Sequence, residues 1–115
     1  MARARLRGLL ETVEIGQSMF TSERTTYHGK MYTVENALNS PQPIQQPIPL
    51  LIGGSGEQVT LKIAAKYADI SHLVAVRELS DFDHKLSVLE NHCEAVGRDF
   101  NDIRKGRFIL VGGSA

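Results

Sequence analysis

The spacing of apolar residues changes period several times along the chain, and each change marks an element. From residue 2 to residue 20 the positions Leu6, Leu9, Leu10, Val13, Met19 and Phe20 recur near helical spacing with charged residues between them, which predicts an amphipathic helix. Residues 25–34 are rich in β-branched and aromatic side chains, with Gly29 placed to turn the chain, so a small hairpin is expected. Prolines at 41, 43, 47 and 49 then remove backbone donors and make residues 39–49 an extended connector. Residues 48–52 form a short apolar run, the pattern of a strand buried on both faces of a parallel sheet.

Residues 57–68 lack breakers and place Val59, Ile63 and Tyr67 on one side and Leu61, Ala64 and Ala68 on another, which predicts a helix buried along much of its surface. A second strand is expected over 70–76. Ser80 is placed to cap the next helix, with Asp83 as a short-armed partner. In that helix Leu79, Phe82, Leu86, Leu89, Cys93 and Val96 recur at steps of three and four, and Gly97 stands where a left-handed residue would stop it. A third strand is expected over 108–111, with Arg107 just before it. Helix, hairpin, and then strands alternating with helices give an α/β chain: three parallel strands joined by crossover helices, with the hairpin as an insertion. Strand starts near Ile48, Ile70 and Arg107 have a mean spacing close to the ~31 residues per unit of an eight-unit barrel, and a doubly wound sheet fits them equally well.

Composition narrows the picture. The 115 residues are enough for one compact domain but fewer than half of the ~250 in a complete (β/α)8 TIM barrel. Apolar content of 42% and charged content of 23% set disorder and fibrous structure aside. Thirteen basic residues balance thirteen acidic ones, so neither nucleic acid nor an anionic membrane is an expected partner. Arg3, Arg5 and Arg7 read as the solvated side of the first helix. No run reaches the length of a membrane span, and the lone Cys93 has no disulfide partner, which points to a reduced, cytoplasmic setting. Three parallel strands alone leave open edges, so self-association or docking against a missing barrel half is expected.

Candidate chemistry centres on Gly53-Gly54-Ser55-Gly56. A glycine-rich turn from a strand into a helix aims backbone N–H groups outward at the positive end of the helix dipole, a ready anion site. The glycines permit close approach and positive φ, the Ser55 hydroxyl can donate to a phosphate oxygen, and Glu57 must point away from any bound anion. A plain strand-to-helix turn that uses glycine for conformation alone is the alternative. The loop has neither the Lys of a P-loop nor the third glycine of a dinucleotide fingerprint. His28, His72, His84 and His92 show no metal-ligand spacing, so no metal is expected. His84 and His92 fit a solvated helix surface, and His72 falls toward the C-terminal half of a strand, where barrel sites form. Cys93 occupies an apolar position and reads as core. With no Ser-His-Asp set or close carboxylate pair, hydrolysis has no support, and no catalytic residue is assigned.

Residues 49–57 (Pro-Leu-Leu-Ile-Gly-Gly-Ser-Gly-Glu), Thr60-Leu61 and 64–69 (Ala-Ala-Lys-Tyr-Ala-Asp) are similar in order and spacing to the luciferase-like monooxygenase superfamily, particularly to members that use the deazaflavin coenzyme F420. Residues 27–32, the 39–47 connector, Lys85-Leu86 and residues 92–99 extend the resemblance over nearly the whole chain. The resemblance implies that residues 1–115 are the C-terminal part of a (β/α)8 TIM barrel, from an oxidoreductase that transfers hydride between F420, or alternatively FMN, and an organic substrate. It assigns cofactor-phosphate contacts to Gly53, Gly54, Ser55 and Gly56, and further cofactor contacts to Ser71 and His72. Ile70-Ser71-His72 departs from the family's usual residues. Catalytic residues would lie in the N-terminal strands of the barrel. A non-catalytic βα module with at most weak phosphate binding is the alternative for the chain taken by itself.

Overall fold

A computed structural model of the chain describes residues 2–73 and 78–107. Residues 74–76 of the expected second strand, and all of the strand expected over 108–111, lie outside the described residues. The chain divides into two units, Met1–Ile48 and Pro49–Ala115.

In the first unit, α1 (Ala2–Thr21) is followed by β1 (Arg24–His28) and β2 (Thr33–Leu38), an antiparallel hairpin in register from Arg24 opposite Leu38 to His28 opposite Thr33. What joins helix to hairpin is polar. Glu11, wholly buried, accepts hydrogen bonds from the backbone N–H groups of Lys30, Met31 and Tyr32, each at 3.0 Å, and from Arg7 Nε at 2.8 Å. Three consecutive donors of the hairpin turn thus converge on one carboxylate, which removes their desolvation cost and its own. Arg7 belongs to this cluster rather than to the solvated side of the helix, where Arg3 and Arg5 remain exposed. Gly29 is required beside it, because a Cβ there would overlap the Glu11 carboxylate. Tyr27 donates to Glu14 Oε1 at 2.6 Å, a bond that pushes its phenol up to about 12. At the end of α1, Asn39 Nδ2 and Gln42 Nε2 donate to the Met19 carbonyl and Gln46 Nε2 to that of Phe20, so the connector supplies donors that the last helical turn lacks.

In the second unit, β3 (Leu51–Gly53), β4 (Ile70–Leu73) and β5 (Arg104–Arg107) form a parallel sheet in that order. The helices α2 (Thr60–Tyr67) and α3 (Leu79–Val96) pack against each other, and a 3-10 turn at Phe100–Asp102 leads into β5. Leu61, Ile63, Ala64, Ala65 and Ala68 on and beside α2, Leu89 and Cys93 of α3, and Ile52, Leu73 and Ile103 form the core. Asp69 fastens the start of the sheet: its Oδ2 accepts the Leu50 N–H at 2.7 Å, its own N–H reaches the Leu50 carbonyl, and its carbonyl accepts from Arg104.

Several boundaries differ from the sequence expectation. β3 starts at Leu51 because the prolines before it cannot join a ladder, and only Ile52 of its residues is buried, since one face of the sheet is left open, with Leu51 57% exposed. α2 begins at Thr60 rather than Glu57, after a turn in which Leu61 N–H bonds the Gly56 carbonyl, one residue beyond the α-helical partner. In α3 the first helical bond runs from Phe82 to Glu78, so Ser80 sits inside the first turn, too late to cap it, and Glu78 occupies the cap position with no side-chain bond. Gly97 does end the helix in the left-handed conformation, φ 74°. The helix buries Leu89 and Cys93, while Leu79 and Val96 at the ends of the stripe are exposed. β5 was hidden by its composition, Arg-Lys-Gly-Arg. Its long side chains lie along aromatic surface instead, with Lys105 over the Phe100 ring at 3.6 Å and the Arg107 guanidinium over Phe82 at 5.6 Å.

Burial alone pushes the Glu11 carboxyl up. The backbone donors of Tyr32 and Met31, the Arg7 guanidinium and the Lys30 donor outweigh burial and hold it below the ordinary value of 4.5. A depressed folded value means that this contribution to stability is present above pH 4.5 and is lost as pH falls through the folded value. Glu11→Gln is expected to lower the melting temperature of the chain by several degrees at neutral pH, and the gap to the parent should close in acid. Thermal melts followed by circular dichroism from neutral to acid pH check this, and a gap that stays constant would rule out the carboxylate charge as its origin.

Candidate functional site

Parallel strands all end on one edge of their sheet, and ligands of α/β proteins collect outside that edge. β3 reaches it at Gly53 and leaves through Gly54, Ser55 and Gly56. The three glycines do different things. Gly54 N–H donates to the His72 carbonyl at 2.9 Å, which extends the ladder by one residue, and its φ of 132° then turns the chain away. A Cβ at Gly54 would stand 2.8 Å from Thr60 Cγ2, and one at Gly56 would stand 3.0 Å from Thr60 Oγ1, so the buried Thr60 side chain fills the hollow under both. Gly53 has no such reason. Its φ is not positive, and a Cβ there would meet no described atom within 4 Å.

Alternation along β4 separates the two other candidate residues. Ser71, 1% exposed, shares the buried side of the sheet with Ile52 and Leu73, and its hydroxyl has no hydrogen-bond partner among the described residues. His72 lies on the opposite face in register with Gly53 on one side and Gly106 on the other. A Cβ on Gly106 would lie 3.1 Å from His72 Nδ1, so the ring rests over that glycine. The row Gly53, His72, Gly106 therefore presents one imidazole flanked by two bare backbones near the C-terminal ends of the strands. The structure brings Gly53, Gly54, Ser55, Gly56 and His72 to that edge, and it turns the Ser71 side chain to the other side.

Glu57, next after the loop, is drawn to α3. Its carboxylate accepts from Lys85 Nζ at 2.8 Å and from His84 Nε2 at 3.1 Å, and its carbonyl accepts from His92 Nε2 at 2.7 Å. The Lys85 hydrogen bond, followed by that from His84, holds this carboxyl below its ordinary value, so it stays charged. These contacts hold Glu57 to α3 by both its side chain and its backbone. The sequence assigned His84 and His92 to a solvated surface, and it gave Lys85 and Gly106 no part in a site. The signal for the helix residues was the seven-residue interval from Lys85 to His92, which puts both on one side of α3. Cys93 is buried, and burial pushes its thiol up, as suits a packing role. Among the described residues no group of three or more His, Cys, Asp and Glu is placed to hold a metal ion. A shallow hollow of about 340 Å³ in the first unit is lined by Arg5, Gly8, Leu9, Met31 and Tyr32, among others, with Arg5 its one charged residue.

The model of the luciferase-like monooxygenase family matches residues 2–111. The chain belongs to this family. An uncharacterized protein of Mycobacterium tuberculosis is 30% identical over 91 residues, which cover 79% of this chain and 32% of that protein. The F420-dependent glucose-6-phosphate dehydrogenase of Microbacterium testaceum is 28% identical over 103 residues, 89% of this chain and 30% of the relative. Among solved structures, an F420-dependent secondary alcohol dehydrogenase in complex with an F420-acetone adduct superposes with a TM-score of 0.81 at 22% identity, covering 91% of this chain and 32% of its own. That likeness shows a shared α/β fold. Members of the F420-dependent branch, to which the motifs pointed, are thus among the family relatives, and the chain spans about a third of their length.

The different roles of the two adjacent glycines make a direct comparison possible. Gly54→Ala is expected to destabilise the second unit by about 1–3 kcal/mol, because alanine is strained at that φ and its Cβ meets Thr60. Gly53→Ala should cost nothing and can add about 0.4–1 kcal/mol by restricting the unfolded chain. Chemical denaturation of both variants decides it, and equal losses would contradict the assignment of separate roles.

Proposed function

We propose that residues 1–115 form the C-terminal part of a (β/α)8 barrel in an F420-dependent oxidoreductase, and that the edge at Gly53–Gly56 receives the cofactor phosphate. The observation that carries this reading is the open backbone at Gly53. Where neither φ nor packing explains a glycine, close approach of a ligand does. The open sheet face at Leu51 and the sequential strand order β3, β4, β5 suit strands that line the inside of a barrel. F420-dependent relatives at 28% identity over most of the chain favour the deazaflavin over FMN.

The residues present fit such a group. Gly53 leaves backbone room, Ser55 and Gly56 follow it in the loop, and His72 offers an imidazole on the face shared with Gly53. Gly54 serves the loop through conformation, since its N–H is already given to His72, and Ser71 lies on the buried side and has no part in the proposed contacts. When bound, the deazaflavin supplies the redox chemistry, exchanging a hydride with an organic substrate. The protein's share is to hold the phosphate on backbone donors at the strand edge and to keep an imidazole beside the site for a hydrogen bond.

The test is Gly53→Ala in the full chain, titrated by fluorescence with F420, with FMN, and with the deazaflavin lacking its phosphate. F420 affinity is expected to fall by about tenfold, ~1.4 kcal/mol, while stability is kept and binding of the phosphate-free form stays as in the parent. Unchanged F420 affinity in the variant would refute the site and favour the non-catalytic module. Tighter parent binding of FMN than of F420 would refute the choice of cofactor.

A further inference from the structure

The contacts between Glu57 and α3 are more than a solvated helix face needs. A carboxylate one residue beyond an anion-binding loop opposes the function of that loop, because a fixed negative charge within a few ångströms repels the ligand. Replacing it by a neutral residue would remove the conflict; this chain instead places three groups of α3 on it. Lys85 Nζ and His84 Nε2 take one carboxylate oxygen each, at 2.8 and 3.1 Å. His92 Nε2 holds the carbonyl of the same residue at 2.7 Å. A carbonyl only accepts, so His92 carries a proton on Nε2. Side chain and backbone of Glu57 are therefore both fixed from α3, and Lys85 is itself largely covered, with 23% of its side chain exposed.

We propose that Lys85, supported by His84 and His92, is a positioning residue for the phosphate loop, drawing Glu57 onto α3 and cancelling its charge so that the adjoining backbone can accept an anion. Lys85 acts through Glu57 and does not touch the phosphate. This inference rests on the reading that Gly53–Gly56 holds a phosphate. Its consequence is that the discrimination between phosphate-bearing and phosphate-free ligands is set in part by a helix that contributes no ligand contact.

The two ways in which Lys85 can matter give opposite results in a double-mutant cycle. Lys85→Met leaves Glu57 charged and without its lysine, with only the His84 hydrogen bond on the carboxylate, and affinity for F420 is expected to fall by about tenfold, with binding of the phosphate-free deazaflavin unchanged. Adding Glu57→Gln removes the stranded charge, and the double variant should return to within about threefold of the parent. Glu57→Gln alone should bind F420 at least as tightly as the parent, and Lys85→Arg should resemble it. The defect of Lys85→Met should also shrink as salt is raised, since it is electrostatic. A loss that persists in the double variant would overturn the proposal, because Lys85 would then contact the phosphate or merely support the fold. Weaker F420 binding by Glu57→Gln would overturn it as well, and this variant gives an answer even where Lys85→Met does not fold. Failure of the underlying reading appears elsewhere, in a parent that binds both ligand forms equally.

Discussion

The hydrogen bond from Gly54 N–H to the His72 carbonyl fixes most of what surrounds the candidate site. It continues the β3–β4 ladder into a residue whose φ of 132° no longer permits a strand, so the sheet stops and the chain turns at the same position. Thr60, the first residue of α2, then fills the space beneath Gly54 and Gly56. The same register puts His72 opposite Gly53 and Gly106. A shift of one residue would exchange Ser71 and His72 between the two faces and leave the row of bare backbone without its imidazole.

Each unit also fixes a carboxylate that would otherwise oppose the fold or the site. Glu11 is fully buried, and a charge there is tolerable because the hairpin turn aims three consecutive N–H groups at it and Arg7 adds a fourth donor. Removing one donor leaves the others, so the arrangement is held by convergence rather than by any single bond. Glu57 is partly exposed and balanced by one lysine with a hydrogen bond from His84, a weaker and more readily screened arrangement. The difference follows from location. A hairpin turn has backbone donors to give, whereas beside the glycine loop backbone donors would compete with those wanted by a ligand.

Patterns of apolar spacing made the element order, the parallel sheet, the hairpin and the Gly97 stop legible in the sequence, because each depends on local periodicity or on a special φ. β5 was not legible. Its Arg-Lys-Gly-Arg strand is specified by backbone pairing with β4 and by alkyl stems laid over Phe100 and Phe82, neither of which leaves an apolar run. Glu11 escaped for a related reason: a buried carboxylate looks like any surface glutamate until the turn that satisfies it is in place. At the candidate site the glycine loop was evident from composition. The opposite orientations of Ser71 and His72 follow from strand alternation once the register is known, and the partners of Glu57 lie 27 to 35 residues away in sequence.

A glycine-rich loop is weak evidence of function while its glycines are counted together, since a tight turn demands glycine whether or not anything binds. Here they can be taken one at a time. Gly54 is explained by its φ and its contact with Thr60, and Gly56 by the same threonine. Their presence says that the turn must fold. Gly53 remains, without a positive φ, with no described atom in reach of a Cβ, on the face that carries His72. A side chain there would add buried area if a helix covered that face, and it would aid strand formation in any case, since glycine weakens a strand interior. Leaving it out costs the sheet something and gives the fold nothing in return. The functional argument is strongest at the one glycine of the loop that the fold does not need.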